Sequence, residues 1–376
     1  MTMALLELRR RPWRFAPAVT ALVLLTVLLL ILGGLLDGLY GGFTGALRAQ
    51  PGQLLSYSAD AKVSVIRSRI DAGTTAEVAR TPGVDAVGGL AVVLLGATGS
   101  DVTGSDATGT GQTTDTSVAL FGYQRPPRGI PAPPSKAGQV YADTSLQAYG
   151  VRAGQVLLLG PRRYPVTVAG WVSDTNFMLT AGLWGDIETW RAVVASARPD
   201  LVLAPGAYQA LTVQTDAGAD PTTVAAAIDA ATGGITHTVT RTVAVDALPG
   251  ISQQRSTFNA IIATTFGVAG LVVALFFVLI TLERARLYAV FKAIGASSGQ
   301  VFGQVALQAV TIAGISFSIG VLLALAVGRL IPPQVPLDLT VSRAVDVLLG
   351  LVVMSTLGSA LSLRRVIRID PATAIG

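Results

Sequence analysis

The chain has no cysteine and a single histidine, His237. Without thiols there is no disulfide staple and no thiolate to act as nucleophile or metal ligand, and one histidine does not assemble a conventional zinc site. His237 stands in a threonine-rich stretch after Gly233 and Gly234, where an exposed or strand-edge position is expected. A phosphate loop of the GxxxxGK[ST] form is also missing, so if ATP drives this protein another chain binds it. No group of residues reads as catalytic, and no resident metal or cofactor is expected. Charge is scarce as well. Charged residues make up 13% of the chain against 51% hydrophobic, far from the balance of a soluble domain.

What is present is long apolar runs. Residues 16–36, 259–282 and 301–328 carry no charge, and residues 344–363 carry only Asp346. Each run is about 20 residues or longer, enough for a helix to cross roughly 30 Å of hydrocarbon. The expectation is four transmembrane helices, one before and three after a large intervening segment. The first run follows Arg9, Arg10, Arg11 and Arg14, as a signal peptide would, but it is longer than the apolar core of a cleavable signal and is read as a retained anchor.

Basic residues near helix ends set the orientation. Arg9, Arg10, Arg11 and Arg14 precede the first run, Arg284, Arg286 and Lys292 follow the second, and Arg364, Arg365 and Arg368 follow the fourth. Only Arg329 and Arg343 lie between the third and fourth. Both termini and the loop after the second run are therefore expected in the cytoplasm, with residues 40–257 outside the cell membrane. The net charge of +5 is accounted for by topology and anionic lipid, not by nucleic acid.

The expected plan is an interfacial helix at 1–15, spans at 16–39, 258–282, 301–328 and 344–363, and an external α+β domain at 40–257. A cytoplasmic helix or loop at 283–300, a short external loop at 329–343 and a cytoplasmic tail at 364–376 complete it. Within the external part, Val63 and Val65 alternate with polar neighbours as in a strand. Residues 74–80 before Pro82 and Gly83 read as a short helix, and 90–95 as a buried strand. The Gly-, Thr- and Pro-rich stretches TGSDVTGSDATGTGQTTDTS and PPRGIPAPPS read as loops. A hairpin is expected over 155–159 and 164–171, an amphipathic helix over 186–197, a strand over 211–214 and a helix opened by Asp-Pro over 220–231.

Gly34, Gly38 and Gly42 are spaced by four, as are Gly41 and Gly45. Such spacing permits close approach, either to a helix of the same subunit or to a second copy across a dimer axis. Asp37 within this stretch is costly against lipid and calls for an interface, a cavity or a partner.

The pieces match a known family. One helix, a large external domain, three helices, the loop ERARLYAVFKAIGAS and the terminal RRVIRIDPATAIG resemble the FtsX/MacB-type (type VII) permeases of ABC systems. The segments LLELRRRPWRF, LLSYSADAKVSVIRSRI, VAGWVSDTNFM and ALPGISQQRSTFNAII resemble the DevC and HrtB branch. The branch often has Lys where this chain has Glu283 or Arg284, and the Gly/Thr-rich segment 98–117 departs from it.

The resemblance implies a homodimeric permease working with two ATPase subunits that carry ATP and magnesium. It implies a coupling helix formed by Glu283, Arg284, Arg286, Leu287, Val290, Phe291, Lys292, Ala293, Ile294, Gly295 and Ala296. It further implies extrusion of a lipophilic substrate by movement of the external domains. HrtB-like members expel haem, DevC-like members export glycolipid through an adaptor and outer-membrane channel, and FtsX-like members activate an external cell-wall hydrolase. For haem, Tyr40 and Asp37 are the oxygen ligands to consider and Arg255 a propionate partner, with Phe43 and Phe258 as apolar contacts. Each has an ordinary reading too: Tyr40 an interfacial aromatic, Asp37 a helix-end charge, Arg255 a lipid phosphate contact. Met178 reads as core or surface. A receptor or adhesin merely anchored by four helices would leave the 283–300 loop unexplained.

Overall fold

A computed structural model describes residues 15–100, 115–283, 298–332 and 335–367. The chain divides into two compact units, residues 1–38 with 254–376, and residues 39–253.

Each of the four apolar runs lies inside one helix. These are α1 (Ala16–Arg48), α6 (Ile251–Glu283), α7 (Ser298–Gly328) and α8 (Val341–Ile367), the other helices falling between α1 and α6. Among the described residues three helices are long and apolar enough to cross a membrane, over Ala16–Arg48, Ala306–Gly328 and Val341–Gly358. The apolar stretch described in α6 is the shorter Ser256–Val272.

The helices of the first unit meet through small residues, as expected where packing, not water exclusion, drives association. Gly320 of α7 leaves room for Thr26 of α1, whose Cγ2 would stand 2.6 Å from an added Cβ. The Thr26 hydroxyl returns its hydrogen bond to the Leu22 carbonyl at 2.6 Å, so no donor is stranded. Gly350 of α8 faces the Phe266 ring of α6, and Gly270 of α6 faces Met354 of α8. Leu22, Leu29 and Leu30 of α1, with Phe15 just before it, share a core with Ala309, Ile312, Val347 and Leu351.

The second unit is α+β. Its strands are β1 (Leu54–Ser58), β2 (Val84–Ser100), β3 (Asp115–Tyr123), β4 (Gln139–Asp143), β5 (Val156–Leu159), β6 (Tyr164–Val172), β7 (Ala181–Asp186), β8 (Ala210–Thr215) and β9 (Thr236–Thr240). They run in the order β3-β7-β4-β6-β5-β2-β8-β1-β9, and a further β2–β3 pairing closes six of them into a ring. The helices α2 (Ala72–Arg80), α3 (Ile187–Ala197), α4 (Pro221–Ala231) and α5 (Arg241–Asp246) complete the unit. Asp71, Asp186, Asp220 and Thr240 cap their first turns by accepting from the backbone N–H three residues on.

The long strand β2 is buried on both faces, which is why 90–95 reads as continuous apolar sequence rather than alternating. Leu90 and Val92 enter one core with Phe121, Tyr123 and Trp184, whereas Ala91, Val93 and Leu95 enter another with Leu120, Leu183 and Trp190. In the first core the Phe121 and Trp184 rings stack 4.3 Å apart, with Phe177 edge-on to Phe121 at 5.6 Å.

Two expectations are corrected. Val63 and Val65 are not in a strand: β1 ends at Ser58, and Lys62 and Val63 are left-handed at φ +51° and +58°. Both valines still pack on the first core, so the alternation records burial in a turn. The Gly/Thr-rich segment is flanked by paired strand, with Thr98 opposite Asp115 and Gly96 opposite Ser117, so its ends belong to a β2–β3 hairpin. The helix that contains the expected 16–39 span runs on to Arg48, and Ala46 and Leu47 are fully buried in the domain core. His237 lies on the terminal strand β9, half exposed and 3.9 Å from Asp229 Oδ2.

Candidate functional site

Two clusters involve the C-terminal half of α1, one in each unit. In the helical unit, Asp37 accepts from both sides of the Arg343 guanidinium, Nη2 to Oδ1 at 2.6 Å and Nε to Oδ2 at 3.0 Å. Thr340 Oγ1 adds a longer bond to Oδ2 at 3.3 Å. The glycines flanking Asp37 make room for the segment that delivers Arg343. Asp338 N–H donates to the Gly34 carbonyl at 2.9 Å. A Cβ at Gly38 would collide with the Pro336 carbonyl, one at Gly34 would stand 2.8 Å from Leu339 Cδ2, and one at Gly33 2.6 Å from Arg343 Cδ. The Gly34 and Gly38 face is therefore covered by the α7–α8 connection of the same chain, where either a helix or a second copy was expected.

Asp37, considered above as a haem ligand, lies here against a partner within the chain. Both carboxylate oxygens are engaged by Arg343, because a charge near the hydrocarbon boundary is stabilised most by a fork-shaped counter-ion. Arg343 had been counted only as a loop charge, and nothing in the sequence linked it to a residue 306 positions away.

In the domain unit, α1 ends against a loop at residues 173–180. The Arg48 guanidinium donates through Nη2 to Asp174 Oδ1 and Oδ2 at 2.7 and 2.9 Å and lies 5.5 Å from the centre of the Tyr40 ring. Gly42 meets Leu179, and Gly41 and Gly45 meet Asp174. Tyr40, Phe43 and Met178 are partly buried on the same core. The loop's other side is held to the sheet. Asp143 is buried and accepts from Thr175 N–H and Oγ1 at 2.9 and 2.6 Å and from Ser145 N–H at 2.9 Å. Ser145 Oγ donates to Asn176 Oδ1 at 3.2 Å, and Phe177 enters the aromatic core. Beyond α1, Arg241 Nη1 donates to the Gln50 and Gly52 carbonyls at 2.9 and 3.2 Å, closing the helix's C-terminal end. Burial and the nearby Arg128 cation lower the Arg241 pKa.

Of the haem set, Tyr40 and Phe43 belong to the domain unit and Asp37 and Phe258 to the helical unit; Phe258 is half-buried, on α6. Arg255 is also on α6. Among the described residues no group of three or more His, Asp or Glu side chains forms a metal site. Glu283 is the last residue of α6, and Arg284, Arg286, Leu287, Val290, Phe291, Lys292, Ala293, Ile294, Gly295 and Ala296 lie outside the described residues. Sequence reasoning missed the 173–180 loop as a site. Its one signal was its place within VAGWVSDTNFM, quoted above for the resemblance.

Residues 259–371 match the family described as FtsX-like permease C-terminal. An uncharacterized ABC transporter permease of Mycobacterium bovis is 39% identical over 109 residues, 29% of this chain and 31% of that protein. The putative hemin transport system permease protein HrtB of Staphylococcus epidermidis is 24% identical over 123 residues, 33% of this chain and 35% of that protein. The chain thus spans about a third of the length of the curated relatives it matches. Among solved structures, the periplasmic region of MacB from Actinobacillus actinomycetemcomitans aligns with a TM-score of 0.35 at 11% identity, over 54% of this chain and 95% of that one.

Proposed function

We propose that this chain is the permease subunit of an ATP-driven export system, in which a separate ATP-binding subunit docks at residues 283–296. The observation that carries the reading is the FtsX-like permease match over 259–371, which contains that segment and most of the three helices α6, α7 and α8. The missing phosphate loop supports placing ATP and magnesium on the partner. The permease lies in the cell membrane as a homodimer, with both termini and the docking segment in the cytoplasm and the α+β unit outside.

The working stroke starts at the ATPase. Closure of its dimer on ATP displaces the docking helix, and the displacement passes along α6 and α7 to the outer face. A lipophilic molecule that has entered from the outer leaflet is then expelled. Haem is the first substrate to test, supported by the relatives named for hemin transport. Tyr40 and Phe43 line the route just beyond the apolar run of α1; Asp37 is left out, since Arg343 occupies it.

A second reading is favoured by one observation: α1 runs without a break from the apolar run into the domain core. Such a helix serves equally to move an external surface, for an adaptor or a cell-wall hydrolase, with no substrate cavity. The test is purification of the tagged full chain from membranes, identification of any co-purifying ATPase, and assay of haem binding and ATP-dependent haem release from vesicles. A Soret shift lost in Tyr40→Phe, with ATP-dependent release, supports haem export. ATPase capture without haem binding moves the assignment to the second reading, and no ATPase capture removes both.

A further inference from the structure

Where α1 enters the domain, its hydrogen-bond ladder is shared with the 173–180 loop. Ala46 N–H donates to the Asn176 carbonyl at 2.9 Å, and the Gly42 carbonyl accepts from Leu179 N–H at 2.8 Å. In an uninterrupted helix these two groups, Ala46 N–H and Gly42 C=O, bond to each other. The loop thus supplies a partner from outside the helix to each of these two groups. Met178 N–H adds a bond to the Phe43 carbonyl at 3.1 Å.

The inserted loop is held under strain. Met178 and Leu179 are left-handed, at φ +51° and +62°, a conformation that residues of this bulk seldom adopt. Gly45 is required only while the loop is in place, since a Cβ there would stand 2.5 Å from the Asp174 carbonyl oxygen. In a free helix glycine is the poorer choice. The outermost tie, Arg48 to Asp174, is solvent-exposed at 38% and 63%, and such pairs hold weakly.

Withdrawal leaves no helical group stranded. Once the loop leaves, Ala46 N–H and Gly42 C=O bond to each other. Leu179, already half exposed, turns its N–H to water. The anchors of Thr175 on Asp143 and of Phe177 in the aromatic core need not move. Release therefore gives up three loop-to-helix backbone hydrogen bonds to water while stranding no group of α1, the kind of element that an applied force can tip.

We propose that residues 174–179 form a releasable clip on α1, engaged at Gly42 and Ala46 in one state and released in the other, and that the transport cycle alternates between them. The proposal rests on the permease reading for its driving force, though not for the existence of the two states. Neither direction of the bias is compatible with turnover: a clip that never releases holds α1 to the sheet, and one that never engages leaves the helix slack.

The chain's lack of cysteine gives a clean test. Gly41 Cβ would lie 3.6 Å from Asp174 Oδ1, so Gly41→Cys with Asp174→Cys can be oxidised to lock the clip in the full chain with its ATPase. The expected result is loss of ATP-driven transport on oxidation and recovery on reduction, with ATPase binding unchanged. Equal transport by the oxidised and reduced forms overturns the proposal. Gly45→Ala tests the other direction without any transport assay. Its Met178 and Leu179 amides should exchange with solvent faster than in the unmutated protein while Phe177 stays protected. Unchanged exchange at Leu179 also overturns the clip. If no ATPase is captured at all, the permease reading fails, and the exchange measurement still decides whether the two states exist.

Discussion

Arg343 grips Asp37 across the helical unit, tying the C-terminal half of α1 to the first turn of α8. Both side chains are mostly covered, at 22% and 24% exposure, so the pair differs from a solvated surface bridge. A charge that the sequence left without a partner is bound by another that the sequence left in a loop.

Removing one member leaves the other partly buried and unpaired. Arg343→Met or Asp37→Ala should destabilise the full chain in detergent by about 1–3 kcal/mol, less than for a fully buried pair. The swap Asp37→Arg with Arg343→Asp should recover part of the loss. Thermal unfolding of the singles, the double Asp37→Ala/Arg343→Met and the swap measures this, and additive single effects would show that the pair contributes nothing as a pair.

Gly38 is the tightest point of the same contact. Gly38→Ala must push the Pro336 carbonyl away and should cost roughly 1–3 kcal/mol by overpacking, despite alanine being the better helix former. A variant as stable as the unmutated protein would mean that the α7–α8 connection does not rest on this face.

Asp143 is the hinge of the domain side. Asp143→Ala strands the Thr175 N–H and hydroxyl and the Ser145 N–H, and a loss of about 2–4 kcal/mol is expected. Limited proteolysis of the full chain should then cut within 173–180 before anywhere else in residues 39–253. Cleavage starting elsewhere would remove Asp143 as the loop's anchor.

Asp220 provides a pH signature. Hydrogen bonds from the Thr222 and Thr223 hydroxyls and the Thr223 N–H lower its pKa from 3.8 to about 2. A carboxylate depressed in the folded state stabilises above its unfolded pKa, and the contribution is lost as pH falls through the folded value. The stability deficit of Asp220→Ala should therefore be constant above about pH 4 and close as pH falls to about 2. A deficit that persists unchanged at pH 2 would show that the carboxylate charge is not what stabilises the α4 cap.

In the docking segment, Ala293→Glu or Gly295→Glu should reduce ATPase-stimulated transport while leaving the chain inserted in the membrane. Transport at the unmutated rate, measured with equal amounts in the membrane, would displace the docking site from residues 283–296.

The sequence by itself determined the elements that depend on local composition. Charge-free runs of this length form helices because any other backbone in hydrocarbon would strand its polar groups, and all four runs are helical. Asp186 ahead of an amphipathic stretch and Asp220 followed by Pro221 placed the starts of α3 and α4. Glycines spaced by four announced that something approaches α1 closely. Only the tertiary structure decided what. In the helical unit Pro336 to Leu339 pack on Gly34 and Gly38, and in the domain unit residues 174–179 pack on Gly42 and Gly45, because glycines accept any backbone that can come close and bond. The partner of Asp37, the closure of β2 on β3 and the left-handed turn that Val63 and Val65 disguised as a strand all rest on contacts between distant segments. Such contacts leave no period in the chain, so they were decided when the segments met.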